Sequence, residues 1–202
     1  MEGVDWVSAM EFAPSLGLQI ALGLCLAATT GLRTFLPLLA VNLMAVSGAM
    51  ELNESYGFVG HWGATVVFGT ATLIEILGDK VIGLDHTLDA VGVVAKPVAA
   101  TILAAAVLVE LDPMLAAVLG IVGGGAPASA LGLVKAQVRA VASVTTAGVG
   151  NAVLSFVEDA VAILSIIVAL LVPGLALLLI VVGVILVVRY LRRARRAGVT
   201  AP

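Results

Sequence analysis

Charge, cysteine and strand-type alternation are all scarce in this chain. Only 11% of its 202 residues are charged, against about 25% in a soluble domain, and that excludes a water-soluble globular fold. The one cysteine, Cys25, sits in an apolar run. It rules out a disulfide framework and a Cys-type metal centre, and reads as a small buried hydrophobe. The alternating segments of about ten residues that mark a membrane β-barrel do not occur. Residues 1–14 lack the basic stretch that opens a secretory signal. The one basic run, "RYLRRARR" (Arg189 to Arg196), abuts the last apolar segment, so nothing suggests nucleic-acid binding.

Apolar residue types make up 61% of the chain, and the mean hydropathy is +1.20. Several runs reach the roughly 20 residues that cross a bilayer as helix. The expected fold is all-α, a polytopic transmembrane bundle of about six segments. Residues 15–192 form its single transmembrane domain. Residues 1–14 place Val4, Trp6, Val7 and Met10 near one helical face, as in a segment lying in the interface; a frayed terminus is the plainer alternative. Residues 193–202 form a basic tail.

The first segment, from about Ser15 to Ser47, is too long for one straight crossing, and Gly31 and Pro37 are placed to bend or break it. The second runs from about Gly57 to Asp79 and the third from about Ala90 to Leu111. The fourth, about Pro113 to Gly148, is again overlong and carries "GGGAP" (Gly123, Gly124, Gly125, Ala126, Pro127). The fifth spans about Ala152 to Val172, and Pro173-Gly174 separates it from a sixth ending at Arg192. The arginine tail belongs on the cytoplasmic side by the positive-inside rule. That puts both termini inside a bacterial inner membrane and the acidic "ELNES" loop (Glu51 to Ser55) outside. The same cluster could attract anionic lipid. Residues 15–111 and 113–192 echo each other weakly: a broken span, a span with acids, then a plainer span, the layout of an inverted repeat.

A charge near the centre of a membrane helix costs about 2.5–3.5 kcal/mol on insertion scales. Arg33, Glu75, Asp79, Lys80, Asp85, His86, Asp89 and Lys96 must therefore pair, face a wet cavity, or lie near the interface. On a continuous helix, Glu75, Asp79, His86 and Asp89 share an arc of roughly 80°; Gly78 and Gly83 make a break there an alternative, with Asp85 as N-cap. Lys135 and Arg139 are one turn apart. Asn151, Ser155, Glu158 and Asp159 open the fifth segment, with Ser155 and Asp159 also one turn apart. The two groups look like partners on adjacent helices.

Three chemistries fit these residues. A proton or cation pathway uses carboxylates and a histidine. A divalent-metal site would combine acid oxygens with His86, although no tight ligand spacing of a known type appears. A structural ion-pair network would be closed by Arg33, Lys80, Lys96, Lys135 and Arg139. "GGGAPASA" lacks the spacing of a phosphate loop; it fits a helix break exposing backbone to a cavity, or close packing through small residues. The leading expectation is a transporter or channel-like protein moving a proton, ion or small solute. One alternative is a membrane-embedded, metal-dependent enzyme on a lipid or isoprenoid, for which no DDxxD-like motif is present. The other is a non-catalytic membrane scaffold. Expected partners are the lipid bilayer and a small ion or solute, with homo-oligomers left open. No cofactor is specified.

"GLRTFLPLL", "EILGDKVIGLDHTLDAV" followed by Lys96-Pro97, "GGGAPASALGLVKAQVR" and "GNAVLSFVED" together resemble a family of small bacterial membrane proteins, domain of unknown function 4126. The resemblance runs from about Leu24 to Leu164 and is most specific in the "GDK-x-x-G-x-DH-x-LD" core. It implies an integral membrane bundle and carries no established activity. Ile82 stands where such proteins typically have proline.

Overall fold

The computed structural model describes residues 15–80, 84–146 and 149–175, with 178, 181, 182, 185 and 189 beyond them; for 84–86 and 89 it describes the backbone alone. The expected interfacial segment (1–14) and basic tail (193–202) lie outside the described residues, as does most of the expected sixth segment. Seven α-helices are described: α1 (Leu16–Thr30), α2 (Leu36–Val46), α3 (Trp62–Gly78), α4 (Leu84–Ala106), α5 (Pro113–Leu119), α6 (Ala126–Thr146) and α7 (Val149–Leu171). A 3₁₀ helix, Glu54–Gly60, precedes α3, and a π-helical turn, Gly120–Gly125, joins α5 to α6.

The expected break in the first segment falls at residues 31–35. The amides of Leu32 and Arg33 both reach back to Thr29 O, which closes α1. Pro37 then sits in the first turn of α2, where its missing N–H leaves no helical bond unmade. Gly31 acts through size more than flexibility. A Cβ there would lie 2.6 Å from Leu131 Cβ, so the end of α1 presses directly on α6.

The 3₁₀ helix and α3 meet at a bend of 61°. Asn42 fixes that corner: its Nδ2 donates to Val59 O at 2.6 Å and to His61 O at 3.2 Å. Asn53 fixes the opposite corner. Its side chain donates to Leu108 O and Leu111 O, both at 2.9 Å, and ties the loop to the end of α4.

The helix of the third segment, α4, is described from Leu84, upstream of the expected apolar span. Asp85, His86 and Asp89 depress hydropathy there without interrupting the helix. The fourth segment differs from expectation too. Pro113–Thr146 runs as one helical stretch of 34 residues, with no break at Gly123–Pro127. Pro127 has no N–H to offer the carbonyl four residues back, and the π turn absorbs that gap. The glycines permit contact instead: a Cβ on Gly120 would come within 2.6 Å of Thr101 O, and one on Gly124 within 2.8 Å of Ala100 O. At 1.5 Å per residue this stretch is about 50 Å long, more than the ~30 Å hydrocarbon core.

By length and composition, Pro113–Thr146 and Val149–Leu171 can each cross a membrane, and the bent pair Glu54–Gly60 with Trp62–Gly78 would make a third. The outer surface is rich in apolar side chains. Valine and leucine side chains on α3, α4, α6 and α7 are exposed, among them Val67, Leu77, Val94, Val141 and Leu164. Buried instead are Arg33, Glu75, Asp79, Lys96, Lys135, Arg139 and Glu158. An apolar cluster of Leu26, Leu38, Val41, Leu103 and Ile166 packs α1, α2, α4 and α7 together beside these charges.

Candidate functional site

Four elements aim charged side chains at one point. Arg33 comes from the non-helical link between α1 and α2, where irregular backbone lets the side chain turn inward. Asp79 caps the C-terminus of α3. Lys135 and Arg139 form the buried polar face of α6. On α7, Asn151, Ser155, Glu158 and Ala162 recur every three or four residues along the inward face, the expected helical period.

Asp79 is the hub. Its Oδ2 pairs with Arg33 Nη1, with Arg139 Nη2 at 2.9 Å and with Lys135 Nζ at 3.4 Å. Glu158 grips Arg139 with both oxygens, Oε1 from Nε at 3.2 Å and Oε2 from Nη2 at 2.5 Å. The same Oε2 lies 3.2 Å from Lys135 Nζ. Arg33 Nη2 lies 2.6 Å from Asp159 Oδ1 and donates to Ser155 Oγ at 2.8 Å. Lys80, over the ring of Phe156, completes the chain of pairs at 2.7 Å from Asp159 Oδ2. Each charge taken from water costs several kcal/mol even after relaxation, which only close pairing with further hydrogen bonds offsets. Here the pairing links the α1–α2 break, α3, α6 and α7 into one network.

Glu75, expected in the same cluster, does something else. Its two oxygens accept the backbone amides of Thr34 at 2.8 Å and Phe35 at 3.1 Å. It is therefore an anionic cap on the start of α2, where the helix dipole favours negative charge. Asn151 donates to Ser143 Oγ at 2.7 Å, tying α7 to α6. Lys96 is buried on α4 and squeezed between two glycines: a Cβ on Gly92 would lie 3.3 Å from its Nζ, and one on Gly132 3.0 Å from its Cδ. The side chains of Asp85, His86 and Asp89 lie outside the described residues. Among the described residues, no group of three or more His, Cys, Asp or Glu could hold a metal.

A cavity of about 150 Å³ adjoins the network between the start of α2, α3, α4 and α6. Glu75, Asp79, Lys96 and Lys135 line its inner end, and Phe35, Ile74, Leu88 and Val91 are among its apolar walls. Sequence reasoning picked out the charges and missed the walls, the amide donors of Thr34 and Phe35, and the glycines beside Lys96. Gly92 stands one helical turn before Lys96, the one local signal that could have found it.

Neither the curated proteins nor the solved structures yield a match. A family model described as domain of unknown function (DUF4126) matches residues 20–193, and the chain belongs to that family.

Proposed function

We propose that this is a multi-pass protein of a bacterial inner membrane, with about six helical segments and both termini cytoplasmic, which moves a proton, ion or small solute through its polar interior. One observation carries the reading. Charged groups from both halves of the chain converge on the margin of a cavity, while the outer surface is apolar. Arg33, Asp79 and Lys135 join residues before and after the midpoint. The first half supplies Arg33 and Asp79 and the second Lys135, Arg139 and Glu158, and the weak echo of residues 15–111 in 113–192 would make the halves an inverted repeat. Asp79, shared by three cations from two segments, is the group whose protonation or re-pairing would loosen the bundle around the cavity.

The test is flux from reconstituted liposomes, using gradients of protons, sodium, potassium, chloride and small organic anions. At least one gradient should collapse with the intact protein and persist with Asp79→Asn. Survival of every gradient would overturn transport.

Close pairing of the network favours a second reading, a scaffold in which the charges only fix helix packing. Then neutralising both partners, as in Arg139→Gln with Glu158→Gln, would restore whatever function each single change removes.

A further inference from the structure

We infer that the outer face of α6 pairs two copies of this chain in the membrane, with Gln137 of one copy hydrogen-bonded to Gln137 of the other. The inference rests on the membrane reading alone and does not depend on transport.

Gln137 is out of place on a lipid-facing surface. Among the described side chains of the seven helices it is the one exposed amide, and no charged side chain there is exposed. The other helical amides, Gln19, Asn42 and Asn151, are buried. The Gln137 side chain makes no hydrogen bond among the described residues. It also lies deep. Arg139, two residues on, is gripped by Glu158, which stands nine residues after Val149 in the 23-residue α7. At 1.5 Å per residue α7 is about 34 Å long, and Glu158 is about 14 Å from its start. Gln137 is about 3 Å further along, near the middle. An amide left in hydrocarbon gives up its hydrogen bonds to water without replacement, and polar groups at this depth face protein or a wet cavity.

The pattern around Gln137 fits a second α6. Ala126, Ala130, Leu133, Gln137 and Ala140 recur at steps of four and three, and all five are exposed. That is the spacing of a two-helix seam. The buried Lys135 and Arg139 each lie about 160° from Gln137 around the helix, so the seam leaves the ion-pair network untouched. Alanine at three of the five positions lets two backbones approach closely, the usual mode of helix association in lipid. The polar position suits an identical partner. Copies inserted with the same topology are related by a two-fold axis along the membrane normal, so the two α6 helices run parallel and equivalent residues meet. An amide carries both donor and acceptor, so Gln137 complements itself, as a single buried amide does when it fixes the register of a coiled coil. A lipid chain offers neither group.

The experiment is energy transfer between full-length chains carrying donor or acceptor dye on a terminal tag, in liposomes of rising lipid-to-protein ratio. Wild type should associate reversibly and separate only on dilution into lipid. Gln137→Leu should weaken association about threefold to thirtyfold, the range for a hydrogen bond between membrane helices, and Gln137→Asn should keep part of it. Ala130→Trp should abolish association, and Leu164→Trp, exposed on α7, should not change it. If Ala130→Trp does not fold, Leu133→Cys replaces it: copper phenanthroline should couple two such thiols into a disulfide, while Leu164→Cys stays monomeric. Monomers at every dilution would leave this face to lipid or to another protein and overturn the proposal. So would wild-type affinity in Gln137→Leu, or a dimer lost with Leu164→Trp but kept with Ala130→Trp. A monomer whose α7 still faces lipid removes the dimer and leaves the membrane reading intact. A dimer without flux leaves this inference standing and removes transport.

Discussion

Arg33 and Asp159 meet at 2.6 Å, fastening the non-helical link between α1 and α2 to the polar face of α7. The same guanidinium reaches Ser155, 122 residues away in sequence, through both its hydroxyl and its carbonyl. An arginine suits this place because its planar fork can serve Asp79, Asp159 and Ser155 at once, which a lysine's single nitrogen cannot. Arg33→Met should lower unfolding free energy by about 3–5 kcal/mol, since it leaves buried carboxylates short of a partner. Arg33→Lys should recover little of that loss. Chemical unfolding in detergent measures both, and wild-type stability in Arg33→Lys would refute the fork argument.

The acids of the network are not equivalent. Asp79 is 3% exposed and holds three cations. Asp159 and its partner Lys80 have side chains 15% and 21% exposed, so part of their attraction is screened. Asp79→Asn should therefore cost about 3 kcal/mol or more, as for other broken buried pairs. Asp159→Asn should cost clearly less. The reverse order in an unfolding titration would show that Asp79 is not the hub.

Glu75 is expected to act on α2 alone. Glu75→Ala leaves the Thr34 and Phe35 amides without their acceptor, at a cost of about 1–3 kcal/mol, and should speed amide hydrogen exchange at those two positions. Glu75→Gln keeps a carbonyl oxygen for one amide and should fall between. Unchanged exchange in the alanine variant would contradict the capping role.

Gly124 and Gly69 should respond in opposite directions to alanine. A methyl on Gly124 would meet Ala100 O at 2.8 Å and Ala27 Cβ at 3.0 Å, neither of which has a flexible end that can yield. Overpacking of this kind costs about 1–3 kcal/mol. Gly69, within α3, has nothing within 4 Å of its built Cβ; alanine there should gain about 0.5–1 kcal/mol from helix propensity. Parallel melting curves of the two variants decide it.

Periodicity and hydropathy made the helical class legible, because those signals are local. The break at residues 31–35 was readable for the same reason, from glycine and proline within one segment. What escaped depends on partners distant in sequence. Glu75 caps amides 41 and 40 residues before it, and no spacing rule links an acid in one helix to the start of another. Gly123, Gly124 and Gly125 were legible as an irregularity but not as its kind. Glycine serves both a bend and a close approach, and only the neighbouring Ala100 and Leu24 distinguish them.

The exposed side of α7 gives the sharpest test of its solvent. Val157 and Leu164 face outward while Glu158 and Ala162 face inward, so a single helix presents opposite polarity on adjacent positions. In water such an arrangement would leave a broad apolar stripe unsatisfied; in lipid it is the stable choice. Nitroxide labels on Val157→Cys and Leu164→Cys in reconstituted membranes should collide far more with oxygen than with a water-soluble nickel chelate. Cys25 is 2% exposed and should stay unlabelled, so the native thiol does not confuse the signal. A label at Val144, 89% exposed near the end of α6, should be more accessible to the chelate than either, because a stretch about 50 Å long must carry an end beyond the ~30 Å core. Higher chelate than oxygen access at 157 and 164 would place α7 in water, and the membrane assignment would fall with it.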